Sequence, residues 1–286
     1  MPVANPRAIS AVVVTWNSAE TILDCLHSLP EGLDVTVVDN GSTDSTIALL
    51  KASQLDIRIL EPGRNLGFGA ACNIAANQSR GDYLLLLNPD AVLEPNALSY
   101  LLQALERQSG VGVAAPKIKA PDGTIELSWG EEPGILQEWL RQRAQTGSAP
   151  PPSPPAALSK VGWASGACLL LRWEAWQSVG GFDEGFFLYF EDLDLCRRIR
   201  QAGWSIVYEP LAGVMHGRGH SSSQIHQQVE RWYRESQLRY YRKHRGRIER
   251  EILRGYLTLK YLMRLRREPS FARAILGSVW SSRRSS

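Results

Sequence analysis

What this 286-residue sequence lacks narrows its class before any motif is considered. No apolar run approaches the ~18–20 residues that a membrane-spanning helix requires. A signal peptide is not expected, because the first apolar stretch, Ala11 to Val14, is too short to be the core of one. Cysteine is scarce: Cys25, Cys72, Cys168 and Cys196 stand far apart with no Cys-x-x-Cys pair. That spacing predicts free, buried thiols in a reducing compartment rather than a disulfide framework or a zinc knuckle. No Gly-Lys-Ser/Thr occurs, which excludes a P-loop. The glycine-rich stretch Pro62-Gly63-Arg64-Asn65-Leu66-Gly67-Phe68-Gly69 fails as a dinucleotide fingerprint, since Cys72 stands where a third glycine or alanine is needed and the first strand has no such glycines. These absences predict a cytoplasmic chain, soluble or peripheral on the inner face of the cytoplasmic membrane.

Neutrality is also lacking, though the net charge of +3 conceals it. Residues 231–286 hold 16 Arg/Lys against 4 Asp/Glu, a net +12, and residues 1–230 hold 16 against 25, a net −9. A basic tail on an acidic body predicts an anionic partner for the tail, either a membrane surface or nucleic acid.

The chain then reads in order. Ile9–Thr15 is β-branched and apolar, a central strand, and Asn17 or Ser18 can cap a helix running to Leu29. Val35–Asp39 is a second strand, Ser45–Ala52 a helix, Ile57–Leu60 a third strand, and a further helix follows the glycine loop to Asn77. Tyr83–Leu87 is the fourth strand, ending abruptly in Asn88-Pro89-Asp90. This alternation implies a parallel sheet with helices on both faces. Beyond it come a helix over Pro95–Ser109, a strand over Val111–Ile118, a hairpin-like turn at Pro121–Thr124 and a proline run, Ala149–Pro155. Trp173–Val179 reads as a helix, Ser205–Tyr208 as a strand, and Val214-Met215-His216 as a short strand before His220. The tail holds two helices. In the second, Ile248, Ile252, Tyr256, Leu259 and Leu262 recur at helical spacing among arginines, the pattern of a basic amphipathic helix.

Two places carry chemistry. Ligands of open α/β sheets sit beyond the carboxyl ends of the strands, which is where Asp90 falls. Alone, Asn-Pro-Asp reads better as a helix cap or turn carboxylate than as a metal ligand. Glu191, Asp192 and Asp194 form the second place, at the start of a helix ending near Ala202 and behind Phe186, Phe187, Tyr189 and Phe190. A helix N-terminus keeps carboxylates ionised, and the aromatics suit the wall of a sugar site.

Taken together, Val13-Val14-Thr15-Trp16-Asn17, Val37 to Asp44, Asn65-Leu66-Gly67-Phe68, Asn88-Pro89-Asp90, Gly180 to Glu184, Tyr189 to Leu195, Val214-Met215-His216 and Tyr240 to His244 resemble the family-2 inverting glycosyltransferases, in particular the rhamnosyltransferase-like branch. The resemblance spans Val12 to about Gly246. It implies a GT-A fold: an open, mostly parallel Rossmann-like sheet with helices on both faces, followed here by a C-terminal helical extension. Residues 1–222 would be the catalytic domain, with a nucleotide-binding half to about residue 90 and an acceptor half beyond, and residues 223–286 the basic helices. The Gln-x-x-Arg-Trp motif of the processive synthases is read as missing, which predicts single transfer rather than processive polymerisation.

The resemblance also assigns roles. Asn88 stands in place of the first acid of the family's Asp-x-Asp motif, so metal binding leans on Asp90 and His216, a pairing that suits Mn²⁺ or Mg²⁺. Asp192, the second acid of Glu191-Asp192, aligns with the catalytic base; Glu191 would orient the acceptor or take the base role. Thr15, Asn17, Asp39, Asn65, Gly67 and Asn88, with Asp90, would face a UDP- or dTDP-sugar donor. Trp163, Ser165 and Gly166 would edge the site of a saccharide or lipid-linked saccharide acceptor, in bacterial cell-surface polysaccharide synthesis. Asp194 would cap its helix or pair with Arg197 or Arg198. The tail would lie on an anionic membrane, pack on the body, or join a second copy in a homodimer. Two other classes were weighed. A nucleotidyltransferase needs a glycine-rich, lysine-bearing loop where Trp16-Asn17-Ser18-Ala19 stands, and a nucleic-acid binder is at odds with the acidic body.

Overall fold

The computed structural model describes residues 9–132, 134, 153–217 and 226–281; the first part of the proline run (149–152) and His220 fall outside them. Strands β1 (Ile9–Thr15), β2 (Asp34–Asp39), β3 (Ile57–Leu60) and β4 (Tyr83–Leu87) alternate with helices α1 (Ile22–His27), α2 (Thr46–Ala52) and α3 (Phe68–Ala76). Then come β5 (Ala91–Leu93), α4 (Ala97–Glu106), β6 (Val111–Lys119), β7 (Trp129–Gly130), β8 (Ser159–Val161), β9 (Trp163–Ala164), β10 (Cys168–Arg172), α5 (Trp173–Ser178), α6 (Glu191–Gln201) and β11 (Ser205–His216). Three helices close the chain: α7 (His226–His244), α8 (Arg247–Arg264) and α9 (Pro269–Ser281).

The main sheet runs β3-β2-β1-β4-β10-β6-β11-β5, with β8 on the side of β11. Its first half is parallel, as the alternation of elements requires. The second half is mixed, because β10 inserts antiparallel between β4 and β6. Strand side chains alternate between faces, and both faces are covered. Val12, Val14, Leu84 and Leu86 point to one core together with α3, α6 and the tail, and Ile9, Ala11, Val13, Leu85 and Leu87 to the other with α1, α2 and α4. Burial on both sides explains the unbroken apolar runs of β1 and β4. All four cysteines are buried and unbonded.

Several boundaries differ from those read in the sequence. Helix α1 starts at Ile22, because Asn17 takes a left-handed φ of 51° and Ser18 accepts the N–H groups of Thr21 and Ile22 in a turn first. Ser205–Tyr208 and Val214–His216 are one strand, β11, interrupted by a register shift between Glu209 and Gly213. The tail has a third helix, α9, which opens on Pro269, a residue well suited to a helix's first turn.

The tail is fastened to the body by charge as well as by apolar packing. Tyr240, Tyr241, Leu253, Leu257, Tyr261 and Ile275 belong to the same core as α3 and α6. The buried Asp194 carboxylate meets Arg198 at 2.7 Å, as the sequence suggested, and also Lys243 at 2.7 Å and His244 at 2.6 Å. Asp183 takes Arg239 at 2.8 Å and Lys243 at 2.6 Å. Arg197, the other candidate partner of Asp194, pairs with Glu132 instead. No helix among the described residues is long and apolar enough to cross a membrane.

Candidate active site

A cavity of about 470 Å³ opens at the carboxyl ends of β1 and β4. It gathers Thr15, Asn65, Gly67, Asn88, Asp90, Ser165, Gly166, Glu191, Asp192 and His216, ten of the residues the sequence singled out. Asn17, Asp39 and Trp163 do not line it. Asn17 ties two loops together, its Oδ1 accepting the Thr43 N–H at 2.7 Å while its own N–H reaches Ser42 Oγ at 2.8 Å. Trp163 is buried, its indole against Gly130. Asp39 shapes the loop after β2 by accepting the N–H groups of Gly41 and Ser42 through Oδ2 at 3.1 and 3.0 Å. Its Oδ1 and the Thr15 hydroxyl are buried with no hydrogen-bond partner among the described residues, and the strand register sets these two residues side by side. Orphaned buried polar atoms next to a cavity are what a bound ligand would satisfy.

At one end of the cavity stand Asp90 and His216. Antiparallel pairing of β5 with β11 puts His216 opposite Ala91, and the Gly217 N–H closes on the Asp90 carbonyl at 2.9 Å. That register brings His216 Nε2 to 3.3 Å from Asp90 Oδ1 and 3.3 Å from Asn88 Nδ2. On the far side of the ring, Nδ1 lies 3.4 Å from Glu126 Oε2. Burial alone would lower the His216 pKa, but hydrogen bonds and charge from Asp90 and Glu126 outweigh it and push it up to about 9. Glu126 escaped the sequence reading. The turn at Pro121–Thr124 was the available signal, because it returns the chain antiparallel to β6, with Lys119 opposite Ile125. β6 in turn lies beside β11.

At the other end lies the acidic start of α6. Gly166 N–H donates to Asp192 Oδ2 at 3.1 Å and Leu193 N–H to Oδ1 at 2.8 Å, which fixes the carboxylate in the cavity. Glu191 differs sharply from its neighbour. Burial, and next the Asp192 charge, hold its carboxyl well above the usual carboxylate range, and its Oε2 has no partner among the described residues. Burial thus disfavours the charged form of Glu191, whereas two backbone N–H groups hold the neighbouring Asp192 carboxylate.

The turn into α6 is strained. Tyr189 and Phe190 both take left-handed φ values, 67° and 64°. Consecutive bulky residues in this region cost of order 1–3 kcal/mol each and concentrate at functional sites. Gly67 meets the same segment: its φ is +86°, and a Cβ there would lie 2.4 Å from the Phe187 carbonyl oxygen. Phe68 N–H donates to that oxygen at 3.1 Å. The Asn40 amide, also passed over in the sequence, clamps the glycine loop from behind, accepting from Leu66 N–H at 3.2 Å and donating to the Gly67 carbonyl at 3.1 Å.

The aromatic wall is completed by the tail. Val229 and Trp232 of α7 line the cavity, with the Trp232 ring 4.5 Å from that of Phe187. Gln228, Arg231 and Trp232 spell a Gln-x-x-Arg-Trp motif. The reading of that motif as missing is therefore wrong, and the expectation of single transfer that rested on it loses its support.

Residues 10–164, from β1 through β9, match the profile of Glycosyl transferase family 2. The chain has the GT-A fold and belongs to this family. It is a glycosyltransferase that moves a sugar from a nucleotide-diphosphate donor to an acceptor. Among curated relatives, the N-acetylglucosaminyl-diphospho-decaprenol L-rhamnosyltransferase of Mycobacterium tuberculosis (strain ATCC 25618 / H37Rv) is 34% identical over 243 residues, covering 75% of this chain and 77% of that one. Rhamnosyltransferase WbbL of Escherichia coli (strain K12) is 26% identical over 185 residues, 61% of this chain and 69% of that one. Among solved structures, the mannosyltransferase PcManGT of Pyrobaculum calidifontis, in complex with GDP-Man and Mn²⁺, superposes with TM-score 0.57 at 16% identity, covering 98% of this chain and 76% of that chain.

Proposed function

We propose that the chain is an inverting rhamnosyltransferase that uses a nucleotide-diphosphate rhamnose, dTDP-rhamnose first among candidates, and glycosylates a lipid-linked saccharide in cell-surface polysaccharide synthesis. The observation that carries this reading is one cavity holding the Asp90–His216 pair, the anchored Asp192 carboxylate and the orphaned Thr15 hydroxyl. The 34% identity to a curated rhamnosyltransferase supports the choice of sugar and the lipid-linked acceptor.

The chemistry has two requirements. The acceptor hydroxyl is a weak nucleophile, and the diphosphate leaves poorly while its charge grows. Asp192 takes the proton from the acceptor hydroxyl as its oxygen bonds to the anomeric carbon, and the bond from that carbon to the diphosphate oxygen breaks on the opposite face. The stereochemistry inverts. Positioned base catalysis of this kind contributes ~10²–10⁴ in rate. Glu191, whose charged form is disfavoured by burial and the Asp192 charge, is the weaker candidate for the base and would orient the acceptor.

The donor set fits a divalent cation. Asp90 Oδ1 and His216 Nε2 lie 3.3 Å apart, close to the roughly 3 Å between neighbouring ligands of an ion bound at 2.0–2.2 Å. No cluster of three or more Asp, Glu, His or Cys side chains suited to a metal occurs among the described residues, so oxygens of the diphosphate and water would complete the sphere, as is usual for Mg²⁺ and Mn²⁺ at phosphate sites. When bound, the ion supplies Lewis-acid stabilisation of the departing diphosphate. Glu126, at the far ring nitrogen, holds the His216 ring with Nε2 toward Asp90.

A donor panel tests the proposal. The protein is incubated with dTDP-rhamnose, UDP-glucose, UDP-N-acetylglucosamine and GDP-mannose, with a lipid-linked N-acetylglucosaminyl diphosphate and Mn²⁺, and nucleoside diphosphate release is followed. Release dependent on dTDP-rhamnose and acceptor is expected. Turnover of another donor in its place would overturn the assignment of the sugar.

A further inference from the structure

Helix α8 is apolar on two opposite sides; one is buried and the other is largely exposed. Leu253, Leu257 and Tyr261 are buried in the core shared with α7 and α9. The stripe that the sequence picked out lies on the other side. Ile248 is 77% exposed, Met263 67% and Leu259 61%, and Ile252, Tyr256 and Leu262 are exposed with them. At 100° per residue these six fall within an arc of roughly 120°, and from Ile248 to Met263 they run about 22 Å along the helix. Half of the twelve exposed large hydrophobic residues in the described chain stand in this single helix. Scattered exposure needs no explanation, but a continuous ridge marks an interaction surface.

Charge indicates the occupant. Exposed arginines bracket the ridge, Arg247 at its start and Arg266 and Arg267 just past its end, with Arg242 and Arg273 exposed on the adjoining helices. Within that arc there is no acidic side chain; Glu249 and Glu251 fall just beyond its two edges, and Glu251 is paired with Arg254. An aliphatic stripe with exposed arginines at both ends on a surface helix is the pattern of a helix lying in a lipid interface, its apolar side chains among the acyl chains and its cations at headgroup phosphates. The buried side of α8 binds it to α7, whose Trp232 and Val229 line the cavity. A docked α8 would therefore hold the catalytic site at the lipid surface.

We propose that the outward ridge of α8, Ile248 to Met263, docks the protein on an anionic lipid bilayer. This deepens the lipid-linked reading of the acceptor and rests on it for its purpose, whereas binding itself is measurable without any acceptor. The test is flotation of the full chain with vesicles of phosphatidylcholine alone and with 30% phosphatidylglycerol, at low and high salt. Partition into the anionic vesicles, weakened by salt, is expected. The Ile252→Glu/Leu259→Glu double variant should bind at least tenfold more weakly with an unchanged circular dichroism spectrum and melting temperature, because both side chains already face solvent. Arg266→Glu/Arg267→Glu should weaken binding to anionic vesicles specifically. Equal flotation of parent and double variant would overturn the proposal. So would light scattering that shows a parent dimer which the double variant converts to monomer, since the ridge would then belong to a second copy. Transfer to lipid-linked acceptor without vesicle binding would remove the ridge and leave the rhamnosyltransferase reading intact; vesicle binding without such transfer would do the reverse.

Discussion

The two ends of the cavity are built in opposite ways. The base end comes from residues adjacent in sequence, Glu191 and Asp192, on the first turn of one helix. The donor end is assembled from Asn88 and Asp90 after β4, Glu126 after a turn and His216 at the end of β11, joined only through strand pairing. The local end separates two like groups by environment: one carboxyl is buried, which disfavours its charged form, and the other is fixed by two backbone N–H groups. The distant end sets an imidazole between two carboxylates. Adjacency thus differentiates a pair of acids, and long-range pairing gathers charged groups that lie far apart in sequence.

Breaking the base end should have the largest effect. Asp192→Asn preserves the shape but leaves one acceptor oxygen for the two backbone N–H groups and cannot accept a proton, so kcat should fall by ~10²–10⁴ in a steady-state assay. Asp90→Ala comes next. It removes the sole carboxylate of the Asn88-Pro89-Asp90 segment and should abolish the Mn²⁺-dependent part of donor binding, read as the difference in affinity with and without the ion. Glu126→Ala leaves both ligands in place but frees the His216 ring, and should weaken Mn²⁺ binding about 10–100-fold in the presence of nucleoside diphosphate.

The smallest effect is expected at Glu191, and it sharpens the contrast with its neighbour. A carboxyl whose pKa is raised on folding binds more protons in the native state than in the unfolded one, so its contribution to stability is greatest below its unfolded pKa and declines as pH rises toward the folded value. Glu191→Gln removes that dependence. Relative to the parent, the variant should gain stability progressively as pH rises above the ordinary glutamate range in urea unfolding, and keep most of its activity. Asp194 should behave oppositely. Burial would raise its pKa, but His244, Lys243 and Arg198 hold it low, so its contribution is present above the unfolded pKa and fades only in acid.

Much of the fold could be read from the residues, because strands buried on both faces leave unbroken apolar runs and parallel strands demand helical crossovers. Asp90 and the acidic start of α6 were visible for the same reason: each sits at a sharp boundary between apolar and polar sequence. Glu126 was not, since a single carboxylate beyond a surface turn looks like any other until β6 and β11 pair. The split between Glu191 and Asp192 was equally hidden, because burial differs between adjacent residues only once α6 is packed. Trp163 and Asn17 were misplaced by motif position alone; one fills core space and the other ties loops. On α8 the apolar spacing was read correctly, but Leu253, Leu257 and Tyr261 are the residues that packing selected, and the more regular stripe was left outside.

The division of labour between the two ends is tested most directly by calorimetry of nucleoside diphosphate binding to the parent, Asp192→Asn and Asp90→Ala, each with and without Mn²⁺. The account predicts that Asp192→Asn binds within about twofold of the parent and keeps its metal dependence, while Asp90→Ala loses that dependence. Metal-dependent binding that survives in Asp90→Ala, or disappears in Asp192→Asn, would contradict it.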